Sequence, residues 1–207
     1  MKSQDTRSGW NRLGTRVTGL ALAVTLAVLS GPLALAQEQQ YDYRVLATNK
    51  TSTAEKEMNE AADAGFVFAA VMGGETGFGG SEVVVVMIKD PAVPAGQKRT
   101  YRLLATSRTS TMQKEMQQLG DAGFDYRSQT VFASTFGGKE VVVIMERMPE
   151  QAAKKFQFRL LATSRTSTMQ KELGEAGEAG FRLAGLTVSK TALGGSEVVS
   201  ILRKEGK

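Results

Sequence analysis

From residue 43 onward the apolar positions pass through one order of patterns, and they do so three times. Each pass opens on a short alternation of apolar and polar residues, at 43–48, 101–106 and 158–163, as a half-buried strand requires. A polar stretch follows, and apolar residues then return at spacings of four and three: Met112, Met116 and Leu119 in the second pass, Met169, Leu173 and Ala176 in the third. That spacing gathers them on one helical face, so the methionines read as core and not as cofactor ligands. Two further apolar segments joined through a glycine pair complete each pass, which predicts the order strand, helix, strand, strand.

Local punctuation supports these boundaries. Ser52 and Glu55, Ser110 and Gln113, and Ser167 and Gln170 stand at the spacing of a capping box, in which each side chain satisfies an orphan amide at the start of a helix. Asp63-Ala64-Gly65-Phe66, Asp121-Ala122-Gly123-Phe124 and Glu178-Ala179-Gly180-Phe181 each put Gly just past the last turn, where a left-handed residue is needed, followed by an aromatic that packs back on the helix. Gly79-Gly80, Gly137-Gly138 and Gly194-Gly195 turn hairpins, and third strands begin near Glu82, Glu140 and Glu197. A helix separates the first two strands, so they are expected to run parallel, with the third antiparallel to the second.

The third strand is expected in the middle, because Val83, Val84, Val85, Val86, Met87 and Ile88, and Val141 to Met145 in the second pass, are the least polar runs. A sheet with one wet face alternates; these runs are apolar on both sides, so something must cover the face that the unit's own helix leaves bare. A unit of about fifty residues is marginal alone, and another unit is the expected cover. The expected fold is therefore α+β: three tandem βαββ repeats over 41–90, 99–148 and 156–205, their sheets packed toward a shared core with the helices outside. Homo-oligomer formation through the same faces stays open as the alternative cover.

Residues 43–89, 101–147 and 158–204 align at offsets of 58 and then 57, but agreement is uneven. RLLATSRTSTMQKE at 102–115 recurs unchanged at 159–172, fourteen matches in fourteen, whereas 116–147 against 173–204 gives twelve in thirty-two. A separate constraint on that segment and a more recent copying both explain this. Strand apolars and helical methionines account for part of it. A cation followed by Thr-Ser-Thr, between a strand end and a helix start, offers free amides, hydroxyl donors and positive charge, which suits a phosphate, sulfate or carboxylate. The candidate anion-binding loops are Arg108, Thr109, Ser110 and Thr111; Arg165, Thr166, Ser167 and Thr168; and, with Lys for Arg, Lys50, Thr51, Ser52 and Thr53. A well-capped helix with a solvated Arg is the plainer reading.

Composition narrows the chemistry. Histidine and cysteine are absent, which removes the commonest general base, the commonest transition-metal ligand and any disulfide. No catalytic residue, metal site or cofactor is expected; a hydrolase working through Glu and Lys or Arg would need Glu140 or an equivalent beside the loop cations. Residues 1–36 have a basic start with Lys2, Arg7, Arg12 and Arg16, an apolar run at 17–29, and Ala34-Leu35-Ala36 before Gln37. This predicts a cleaved signal peptide, with no membrane span in what remains, and an exported protein of the periplasm or exterior; a single uncleaved anchor is the alternative, against which Ser30, Gly31 and Pro32 break the apolar run short of the roughly 20 residues that a span needs. The whole chain carries 26 basic and 21 acidic residues; the leader holds four and one of these, leaving 22 and 20, a net charge of +2. With no basic stripe, nucleic acid is not an expected partner. An envelope component or a small anionic ligand is.

The aromatic-led first strand, the helix, A-G-F, the glycine hairpin and the V-V-V ending resemble the small bacterial family called domain of unknown function 4177. The resemblance covers each of the three units almost end to end, with Phe66, Phe124 and Phe181 where that family commonly has Trp. It implies the βαββ fold and, since that family carries no agreed activity, nothing about catalysis.

Overall fold

The structure, a computed structural model, describes residues 40–77, 80–94, 96–133, 139–151, 153–190 and 195–206. The expected leader lies outside the described residues, as do Gly79, Gly137, Gly138 and Gly194 of the expected hairpins. In chain order the elements are β1 (Asp42–Thr48), α1 (Thr51–Asp63), β2 (Val67–Thr76) and β3 (Gly80–Lys89); β4 (Thr100–Thr106), α2 (Thr109–Asp121), β5 (Asp125–Ala133) and β6 (Lys139–Arg147); and β7 (Phe156–Thr163), α3 (Thr166–Glu178), β8 (Arg182–Lys190) and β9 (Ser196–Glu205). Among the described residues the class is α+β, with three α-helices and three three-stranded sheets.

The sheets have the orders β1-β3-β2, β4-β6-β5 and β7-β9-β8, and every pair is antiparallel. The valine-rich third strand is central in each, as its lack of polar residues requires. The two strands flanking it run the same way without bonding each other. The middle of the chain realises the double burial most fully: Val141, Val142, Val143, Ile144 and Met145 of β6 are all buried. In β3 only Val83, Val85 and Met87 are, while Val84, Val86 and Ile88 on the other face are half-covered. The expectation of two dry faces therefore holds for the second sheet and only in part for the first.

The helix ends are as expected. Gly65, Gly123 and Gly180 have φ of 88°, 84° and 82°. The amides of Phe66, Phe124 and Phe181 reach back to the carbonyls of Ala61, Leu119 and Ala176 at 2.9–3.0 Å, closing the helices in Schellman fashion. The helix starts are not. The N-caps are Lys50, Arg108 and Arg165, none with a side-chain cap bond. Ser52, Ser110 and Ser167 lie inside the first turn, so no capping box forms. The helix begins early because Thr48, Thr106 and Thr163, at the strand ends, accept the N-cap amides at 3.2 Å in each case and turn the chain there.

Residues 39–207 form one compact unit, but its interior is not one shared core. One cluster joins Met58, Phe66, Phe68, Val83, Val85 and Met87 to Tyr101, Phe132, Val142 and Ile144; the other joins Met112, Met116, Phe124, Val141, Val143 and Met145 to Phe156, Phe158 and Ile201. The helix-bearing face of one sheet thus receives the opposite face of the next, twice over. Nor are all the helices outside: α1 lies against its own sheet and β4, and α2 against β4 and β7, while α3 buries only Ala176. A helix narrower than its sheet leaves part of the face bare, and the following sheet fills that part.

Candidate functional site

The three expected anion loops are strand-to-helix turns of one construction. Lys50, Arg108 and Arg165 hold extended backbone (φ −126°, −117° and −123°), and their carbonyls accept the amides of Ala54, Met112 and Met169 at 3.0 Å. Their side chains are exposed, as are Ser52, Ser110 and Ser167. Thr51, Thr53, Thr109, Thr111 and Thr168 are half-buried, and Thr166 is exposed. Among the described residues no side chain bonds a first-turn amide, which leaves the positive end of each helix open. Among the described residues no hydrogen bond or ion pair joins one turn to another. The second turn already holds a carboxylate: Thr109 Oγ1 donates to Glu197 Oε1 of the third sheet at 3.1 Å. Glu82 instead accepts from the Thr76 hydroxyl within its own hairpin. Glu140 has no such bond among the described residues.

Glu55 and Gln113, which the capping-box reading assigned to helix starts, serve the junctions between sheets. Both β4 and β7 are edge strands, so their outer amides and carbonyls need partners. Glu55 Oε2 accepts the Leu103 amide at 2.8 Å, its other oxygen pairs with Arg102 at 2.8 Å, and Asn59 bonds both the N–H and the C=O of Tyr101 at 2.9 and 3.0 Å. One helix later the same geometry is built from amides. Gln113 takes the Leu160 N–H at 2.7 Å and gives to the Phe158 carbonyl at 2.8 Å; Gln117 takes the Phe158 N–H at 3.0 Å and gives to the Phe156 carbonyl at 3.2 Å. Two side chains four residues apart stand in for a neighbouring strand. The signal was present as recurring polar pairs at 55 and 59 and at 113 and 117; α3 breaks it with Gln170 and Gly174.

A second unforeseen cluster fastens the first junction. Tyr101, fully buried, donates its hydroxyl to Glu146 Oε1 at 2.9 Å and accepts the Phe68 amide of the first sheet at 2.9 Å. Arg99 meets the same Glu146 oxygen at 2.8 Å and Arg127 the other at 3.6 Å. Burial, and then the Glu146 charge, push the Tyr101 phenol well above the usual tyrosine range. Burial pushes Tyr126 up to about 12. At the second junction Arg203 pairs with Asp125 at 2.5 Å and lies over the Phe156 ring.

An open cleft of about 790 Å³ lies among Tyr41, Asp42, Asp63, Lys89, Asp90 and Pro94. It belongs to the first linker and does not include the turns. Among the described residues no three His, Cys, Asp or Glu side chains gather as metal ligands, and no helix is long and apolar enough to cross a membrane. Compared with known proteins, the chain matches no family model, no curated protein and no solved structure.

Proposed function

We propose that the chain is three tandem βαββ repeats, each like the domain of unknown function 4177, exported behind a cleaved leader. It works without catalysis as a binding protein of the envelope. Its ligand is a small anion or the acidic group of a partner, held at the strand-to-helix turns by the exposed cation, the hydroxyls and the first-turn amides. The observation that carries this reading is the Thr109–Glu197 bond: one of the three turns already binds a carboxylate, contributed by the chain itself. The turns at Lys50 and Arg165 offer the same groups without such an occupant among the described residues. The recurring polar pairs Glu55 and Asn59, and Gln113 and Gln117, are engaged in holding one sheet to the next, whereas the turn cations Lys50, Arg108 and Arg165 face solvent.

Thermal melting of the form beginning at Gln37, in chloride and then with added phosphate, tests this. Phosphate at a hundredfold excess over its Kd should add roughly 2.7 kcal/mol. Lys50→Ala with Arg165→Ala should abolish the gain, whereas Arg108→Ala should leave most of it. An equal melting temperature in both salts overturns the reading.

A further inference from the structure

The contact that joins the sheets has two different sides and does not close on itself. One side is a helix with the sheet face it partly covers; the other is the opposite face of the next sheet, with the outer edge of its first strand. A contact of this kind repeated without closure leaves one unused copy of each side. Both are visible. At one end the face of the first sheet, equivalent to the face through which Tyr101, Leu103 and Ile144 dock on α1, exposes Tyr43 (60%), Val45 (63%) and Met72 (53%). At the other end the third sheet, equivalent to the surface that receives the next sheet, exposes Leu183 (52%), Leu186 (46%) and Val188 (52%). β1 presents the same outer edge that Glu55 and Asn59 hold on β4 and that Gln113 and Gln117 hold on β7.

We infer that the occupant of each end is a second copy of this chain, added head to tail by the same contact used twice internally. In the added junction α3 takes the role of α1 and α2, with Gln170 placed to bond the Val45 amide and the Tyr43 carbonyl. Gly174 replaces the second residue of the clamp, held by Asn59 and Gln117 in the internal junctions. The external junction therefore has half the edge bonds and is weaker than the internal ones, which makes assembly reversible and concentration-dependent. This goes beyond ligand binding at the turns and rests on different residues.

Sedimentation velocity of the form beginning at Gln37, which contains both apolar clusters entire, tests the inference. Mass should rise with concentration past the dimer. Val45→Glu and Leu186→Glu each leave one end intact, so each alone should remain monomeric, and an equimolar mixture should form a one-to-one dimer that grows no further. Both positions are exposed, and Tyr43→Glu with Val188→Glu serves as a second pair should either variant melt early. Gly174→Gln restores the missing clamp in open space and should tighten association about tenfold, the worth of a pair of hydrogen bonds. A monomer at every concentration overturns the inference, as does a single variant that still dimerises, which would mark a symmetric contact. Self-association can fail while phosphate still raises the melting temperature, and the converse, so the two proposals fall separately.

Discussion

The two junctions between sheets share a geometry and differ in chemistry. At the first, charged groups meet the edge strand and the interior: Glu55 with Arg102, and Glu146 with Arg99 and Tyr101. At the second, neutral amides do the clamping, and the nearest ion pair, Arg203 with Asp125, lies off the clamp. The backbone of an edge strand needs one donor and one acceptor at alternate residues, and a glutamine amide supplies both, whereas a carboxylate only accepts. Glu55 therefore leaves the carbonyl side to Asn59 and turns its second oxygen to an arginine. The junctions also differ in depth. Where α1 carries Ala62, α2 carries Gly120, and a Cβ there would stand 2.3 Å from the Phe156 carbonyl oxygen and 2.9 Å from the Phe158 ring. α2 lies closer to the following sheet than a side chain permits.

The largest effect should come from that closeness. Gly120→Ala places a methyl against backbone, and we expect a loss of about 3 kcal/mol, the upper range for overpacking. The equivalent residue of α3, Gly177, has open space around it, so Gly177→Ala should gain about 1 kcal/mol through helix propensity alone. Thermal or urea melting of the two variants checks both signs. If Gly120→Ala melts like the parent, the second junction is looser than described.

The clamps come next. Gln113→Ala with Gln117→Ala leaves four backbone groups of β7 without partners and should cost about 2–3 kcal/mol. Glu55→Ala with Asn59→Ala should cost a similar amount at low salt, and its charged part should shrink in molar salt while the loss at the second junction holds. Equal salt dependence at the two junctions would refute the contrast between them.

Much of this was legible in the chain and some was not, for identifiable reasons. Strand order, the buried stripes at Met112 and Met116, and the left-handed glycines at 65, 123 and 180 depend on contacts within a few residues or on simple polarity, and the pattern reports those directly. The capping box misled because Ser-x-x-Glu describes a local option for Glu55 and Gln113, and an edge strand 45 or more residues away competes for them more strongly. The valine runs required that both faces be covered but could not say by what, so one shared core was expected where two successive junctions exist. Gly120 reads in sequence as a weak helix former; only the approach of β7 explains it. The residues proposed as anion loops stand between strand ends and helix starts, as their sequence pattern indicates, and only the fold shows Glu197 reaching Thr109.

The smallest effect separates the junctions by pH. A phenol whose folded pKa lies above its unfolded value near 10 keeps its proton longer in the native state, so its stabilising contribution is complete below about pH 10 and is lost as pH climbs toward the folded value. Tyr101 is such a group, raised by burial and by Glu146. The stability of the parent should therefore fall faster above pH 10 than that of Tyr101→Phe, by at most about 1.4 kcal/mol per pH unit. Tyr126, which burial also raises, is common to both proteins and cancels in the difference. The equivalent residue at the second junction is Phe158, which carries no proton, so the differential slope belongs to the first junction alone. Urea melting of the two proteins between pH 9 and pH 11, values spanning about one unit either side of the ordinary tyrosine pKa, reads that slope directly. Parallel lines would mean that the Tyr101 hydroxyl is open to solvent and that the Phe68 amide is held by something else.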